Sequence, residues 1–273
     1  MKFDPYSTSI QRLYFNSLCT SDKGVTVGRY ANRIAKGELY INEEYYQLAV
    51  NENQNTLHRS PVGFGKRLWT QESRSDENSV IFYLTSDDTG QGFPVTKQIK
   101  VCYTLEESAV TISYWAISDK DTAINLTNHA YSNLNGIDCA PLASKHELYI
   151  EAGSYLEVDT EPIPTGKLIS VCGTDFDFRR SKRYTKSCDH NSLLNAPKVN
   201  PSCAVLRGCQ SGVNMSVFTD RPGIQLYNTD TQIYLETQNF PDAMHHKHFP
   251  SPSLKTDMVF QSTTAYRFAQ NQK

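Results

Sequence analysis

Apolar and polar positions alternate with a period of two along most of this chain, and a helical period of 3.6 is scarce. Between residues 98 and 117, Val101, Tyr103 and Leu105 alternate with polar neighbours. A Glu106-Glu107-Ser108 turn follows, and Val110, Ile112, Tyr114 and Ala116 resume the alternation. This pattern predicts a β-hairpin. A second hairpin is expected over residues 38–50, around Asn42-Glu43-Glu44, with shorter strands at 79–84, 146–151, 213–219, 224–227 and 232–237. The stretches 181–200, rich in Lys, Ser and Asn, and 240–253, rich in proline, read as loops. So few helical signals disfavour α/β barrels and doubly wound sheets and favour an all-β sandwich.

Length adjusts this picture little, because 273 residues suit one large β domain, taken here as 1–273. The formal charge of −2 comes from 27 basic and 29 acidic residues without a concentrated tract of either sign. Nucleic acid and membrane surfaces are therefore unexpected partners, and a small neutral polar ligand is the better match. Seven cysteines show neither zinc-type CxxC pairing nor a dense disulfide framework, so they are expected to be reduced thiols. The first residues lack the apolar run of a signal peptide, which points to the cytoplasm.

Five polar clusters interrupt the alternation, at residues 28–34, 55–58, 127–131, 188–191 and 235–238. Departures from local rules concentrate at functional sites. Around Leu126, a continuous strand would place Asn125, Thr127, His129 and Tyr131 on one face, away from Ile124 and Leu126. From that strand alone, His129 reads first as a structural histidine with one satisfied hydrogen bond. Gln225 and Glu236 are expected to share a sheet face, although an isolated glutamate on a strand is usually just solvated. Arg33 offers a forked donor to two hydroxyl oxygens, and Asp189 can accept from two adjacent hydroxyls. His245, His246 and His248 lack metal-site spacing, so no metal is expected. Fingerprints for nucleotide phosphates or a serine nucleophile are missing too.

Taken in order, the segments GRYANRIAKG, NTLHRSPVGFGKRLW, TNHAYSNLNG, DHNS, PGIQLY and ETQNFPDAMHHKHFP resemble the signature blocks of the aldose 1-epimerase (galactose mutarotase) family. The resemblance runs from about Val27 to Pro250. It implies a large antiparallel β-sandwich, here shortened at the N-terminus, that interconverts the anomers of a free hexose such as galactose or glucose without a cofactor. By position it implies Glu236 as general base and His129 as general acid. It likewise implies that Arg33, His58, Asp189, Gln225 and Asn32 bind the sugar. Two departures stand out. Arg59-Ser60 replace the family's glycine pair, and the connection between Gln225 and Glu236 is shorter than the family's, which leaves two outcomes open: a tight hairpin in its place, or a pocket with one wall opened. Two other readings stay open on the sequence: a carbohydrate-binding protein without turnover, and an epimerase of a phosphorylated hexose using Arg59 and Lys66.

Overall fold

The computed structural model describes residues 24–58, 63–72, 76–86, 92–93, 97–136, 145–183, 186–195, 201–229 and 232–270. Two antiparallel sheets dominate it. The larger has nine strands, in the order Lys182–Arg183, His146–Ile150, Ala204–Gly208, Val213–Thr219, Phe260–Gln270, Ala109–Ser118, Lys97–Glu106, Ser79–Ser86 and Thr70–Gln71. The smaller has six: Tyr131–Ser132, Ile233–Gln238, Gly223–Asn228, Asp189–Leu194, Ala152–Val158 and Pro164–Ser170.

Both expected hairpins form. Lys97–Glu106 pairs with Ala109–Ser118 around Glu107 and Ser108, and Val110, Ile112, Tyr114 and Ala116 all point into the core. Glu38–Ile41 pairs with Glu44–Gln47 through Asn42 and Glu43. Both turn residues have positive φ, 50° and 68°, the backbone handedness that a two-residue hairpin requires. The five shorter strands also appear, within two residues of their expected limits.

One core joins the sheets. Ile99, Val101, Ile112 and Tyr114 of the large sheet pack in the same cluster as Ile224, Leu226, Ile233 and Leu235 of the small one. Polar contacts add to this seam, with the Tyr266 hydroxyl donating to the Leu235 carbonyl at 3.3 Å. Because side chains alternate across a strand, burying Ile224, Leu226 and Leu235 turns Gln225 and Glu236 to the opposite face. The alternation that builds the core thereby also builds the site.

Two expectations need correction. The segment 181–200 is not simply a loop, since it holds the strands Lys182–Arg183 and Asp189–Leu194. Asp189 and Asn191 on the latter share the face of Gln225, and Asp189 accepts from Arg33 and Gln225, so a composition that resembles a loop belongs to a central strand. The region around Leu126 is not one continuous strand either. It breaks into Thr122–Ala123, Thr127–Asn128 and Tyr131–Ser132, each pairing elsewhere. Asn125 causes part of this break, because its carboxamide bonds Ala31 and Asn239 across the chain crossing. Arg59 and Ser60 lie outside the described residues, and Lys66 is exposed.

The inner face of the large sheet also carries Lys97, fully buried, donating to the Ala123 carbonyl at 2.7 Å and lying over the Phe93 ring. Burial, and then the nearby Arg29 charge, hold its pKa well below the usual lysine value. Cys102, Cys172, Cys188, Cys203 and Cys209 are free thiols. Among the described residues, no helix is long and apolar enough to cross a membrane.

Candidate active site

Glu236 and Gln225 sit directly opposite one another on the paired strands Gly223–Asn228 and Ile233–Gln238. Register continues the same face outward. Asn191 aligns with Gln225, and Asp189 aligns with Tyr227 and Tyr234. The short connection is indeed a hairpin, with Asn228 paired to Ile233 and the Thr229 N–H donating to the Gln232 carbonyl.

His129 reaches this face from just beyond the Thr127–Asn128 strand, which Thr127 ties to the hairpin by donating to the Thr237 carbonyl at 2.9 Å. Its Nε2 lies 3.5 Å from Glu236 Oε1. Ring edges from His58 and Tyr234, at 5.3 and 4.8 Å between centroids, fix the imidazole plane. Glu236 is only 2% exposed, and its second carboxylate oxygen has no protein partner. Burial raises its pKa to about 7, and the Asp189 charge adds to the rise while His129 and Arg33 oppose it. A carboxyl poised there can hold or release a proton near neutral pH.

His58 and Asn32 form a reciprocal pair. The His58 N–H donates to the Asn32 carbonyl at 3.1 Å, and the Asn32 N–H donates to His58 Nδ1 at 3.2 Å. Both residues adopt positive φ, 50° and 67°, a conformation that costs about 1–3 kcal/mol per non-glycine residue and concentrates at functional sites. Asn32 Oδ1 is occupied by the Arg33 N–H. Asn32 thus supports its neighbours more directly than it addresses a ligand. Burial, together with the His129 and Arg33 charges, drives the His58 pKa down to about 3, so the ring is neutral. Because Nδ1 accepts a hydrogen bond, the ring proton resides on Nε2, making His58 a donor.

That tautomer decides a second question. His58, His129 and Glu236 offer three ligand atoms within 4.8 Å of one another, a spacing that suits a metal ion. A ligating histidine normally gives its other ring N–H to an acceptor. Here Nδ1 of His58 faces a donor, so the surroundings favour hydrogen bonding through Nε2 over ligation.

Arg33 is 7% exposed and bound on two sides. Nε and Nη2 donate to both oxygens of Glu52, at 2.6 and 2.9 Å, and Nη1 donates to Asp189 Oδ2 at 3.1 Å. Asp189 Oδ1 in turn accepts from Gln225 Nε2 at 2.7 Å. Burial disfavours the guanidinium charge, yet Glu52 and Asp189 outweigh it and hold the pKa above the usual value. A chain of hydrogen bonds therefore runs from Glu52 through Arg33 and Asp189 to Gln225, beside Glu236.

All seven residues expected from the sequence converge here. Two participants were not anticipated. Glu52 carries no motif and meets Arg33 only because the Arg33–Ile34 and Thr56–Leu57 strands pair. Tyr234, whose ring lies between those of Tyr131 and Tyr227 at 6.2 and 5.2 Å, shares the period-two face of Glu236, and that was its available signal.

The profile of the aldose 1-epimerase family matches residues 12–267. Human galactose mutarotase is 36% identical over 271 aligned residues, covering 90% of this chain and 78% of that protein. Aldose 1-epimerase of Haemophilus influenzae is 37% identical, covering 82% and 73%. Among solved structures, an aldose epimerase homologue from C. elegans superposes with a TM-score of 0.86 at 28% identity, covering 94% of this chain and 85% of that one. Galactose 1-epimerase from Lactobacillus acidophilus gives 0.80 at 26% identity, covering 94% and 82%. With six ordered sequence blocks, a matching antiparallel architecture and relatives above one-third identity, the chain belongs to the aldose 1-epimerase family.

Proposed function

We propose that this protein interconverts the α and β anomers of a free aldohexose such as galactose or glucose, with Glu236 as base and His129 as acid. The observation that carries this reading is the 3.5 Å approach of His129 Nε2 to a buried Glu236 carboxylate whose pKa stands near 7. The anomeric hydroxyl O1 and the ring oxygen O5 are bonded to the same carbon, so groups this close can address both. Glu236 takes the O1 proton, the C1–O1 bond becomes a carbonyl, and the C1–O5 electron pair leaves on O5, which takes a proton from His129. After rotation about C1–C2 the protonated Glu236 and the deprotonated His129 reverse these transfers and close the other anomer. All the protons stay within the pair.

Arg33, Asp189, Gln225 and His58 orient the hydroxyls. The charge of Arg33 is already met by Glu52 and Asp189, which suits a neutral sugar better than a phosphorylated one. Free thiols support a reducing, cytoplasmic setting. The test is polarimetry of freshly dissolved α-D-galactose and α-D-glucose. Wild type should hasten the approach to equilibrium rotation. Glu236→Gln and His129→Asn should each lose about 10²- to 10⁴-fold. A folded wild type that leaves the rotation rate at the buffer value would sink this reading.

A further inference from the structure

Beyond Glu236, the same sheet face carries polar side chains that the proton transfers do not use. Asn191 aligns with Gln225 and Glu236, and one step further Gly223 aligns with Gln238. Asn191 is 1% exposed and Gln238 0%. Both atoms of both carboxamides lack a protein partner, as do Gln225 Oε1 and Glu236 Oε2, six polar atoms on four neighbouring side chains. An unmet buried donor or acceptor forfeits much of its hydration, and six together would rival the stability of a whole domain. These atoms are arranged for something that bonds them.

Gly223 makes the room. A Cβ at this position would stand 2.4 Å from Asn191 Oδ1 and 3.1 Å from the Phe240 ring. A glycine within a strand often marks such a close approach. The absent side chain lets the Asn191 carboxamide lean over the sheet toward the row that holds Gln238.

We propose that Asn191, Gly223 and Gln238 form a hydroxyl-binding pit continuous with Gln225 and Glu236. Its ligand is a neutral oxygen that both donates and accepts, supplied by a sugar hydroxyl or by a water in the same place. Two carboxamides present donors and acceptors in equal number and no charge. A phosphate or carboxylate there would face the Glu236 carboxylate with no cation among the four side chains. The sugar alternative rests on the anomer-exchange reading, whereas the water alternative does not.

Crystals of the wild-type protein, grown without sugar and then soaked in galactose, test the pit directly. An ordered oxygen within hydrogen-bond distance of both Asn191 and Gln238 is expected. If that oxygen belongs to the sugar only after soaking, the pit is a specificity subsite; if water fills it in both crystals, it is a hydrated support for Glu236. An empty pit, or Asn191 and Gln238 bonded to each other, overturns the proposal whatever the turnover.

Kinetics supply the second readout. Gln238→Met should raise KM for galactose about five- to tenfold, the worth of a neutral hydrogen bond. In the sugar case, one monodeoxygalactose should show no further loss in the variant. In the water case, the penalty should be uniform across the deoxy series, with the acid limb of the pH profile displaced. An unchanged KM, kcat and pH profile in a folded Gln238→Met would refute the pit. Should that variant fail to fold, Asn191→Ser serves in its place, and the wild-type crystals still decide.

Discussion

Replacing Glu236 by glutamine should stabilise this protein, and by an amount that grows with pH. The Glu236 side chain is fully enclosed, and its carboxyl rises from 4.5 to about 7, chiefly through burial. Each tenfold change in proton affinity corresponds to about 1.4 kcal/mol, so holding the ionised form in the fold costs roughly 3 kcal/mol above pH 7. The sign follows from linkage. The folded state binds the proton more tightly than the unfolded chain, so Glu236 penalises the fold progressively as pH rises from about 4.5 through about 7. A neutral glutamine of the same shape carries no such penalty. Urea unfolding of wild type and Glu236→Gln at pH 4.5, 5.5, 6.5 and 8 isolates this group and its direct charge coupling to His129, Asp189 and Arg33, because the titrations of uncoupled groups cancel in the difference. The gap should be small at pH 4.5, open by about 1.4 kcal/mol for each pH unit between, and level near 3 kcal/mol at pH 8. A gap that is flat with pH, or that shrinks as pH rises, would show that the carboxylate is compensated, and the argument from burial would fail. Wild-type kcat/KM supplies a cross-check. It should fall about tenfold per pH unit below 7, where Glu236, the base in the proposed reaction, becomes protonated.

Two further perturbations address groups that touch no reacting atom. Glu52→Ala removes the two-point partner of Arg33 while leaving its bond to Asp189. KM should rise about tenfold with kcat little changed, and Glu52→Gln should restore part of the loss; equal kinetics in all three proteins would exclude a positioning role. Lys97→Met exchanges an enclosed amine for a side chain of similar length and leaves the Ala123 carbonyl unmet. Because the folded state depresses this amine, the wild type gains stability as pH climbs toward the ordinary lysine range. The variant should therefore be more stable at pH 6 by roughly 1–3 kcal/mol, with the advantage shrinking at pH 10. A variant weaker than wild type at pH 6 in urea titrations would mean that the charged amine is well accommodated.

The parts of the fold legible from sequence were those where one face is apolar and the other wet. The Val110, Ile112, Tyr114, Ala116 series fixes its strand without ambiguity, and so does the series through Met215 and Val217. Where both faces are buried, the signal fades. Asp189–Leu194 reads as a loop because both of its faces carry polar residues that are buried or half-buried, and the 122–128 segment is buried throughout, so period alone cannot find its breaks. The site was legible through Glu236 and Gln225, whose shared face follows from counting by two. Glu52 was illegible because its role depends on a tertiary crossing. The pit at Gly223 was hidden for a similar reason: unmet carboxamides become visible only after every neighbour has been placed.

The spacing of site residues along the chain has a consequence for how the protein acquires function as it folds. Gln225 and Glu236 meet across a single tight hairpin, a contact that forms locally and early in topological terms. Thr127 must find Thr237 110 positions away, and Arg33 must find Asp189 across 156. Half of the site is therefore available to a partly folded chain, and the other half only to a finished one. Recovery of activity after dilution of the full-length chain from denaturant should lag behind recovery of the hairpin, because Gln225 and Glu236 can pair before His129 and Arg33 reach them.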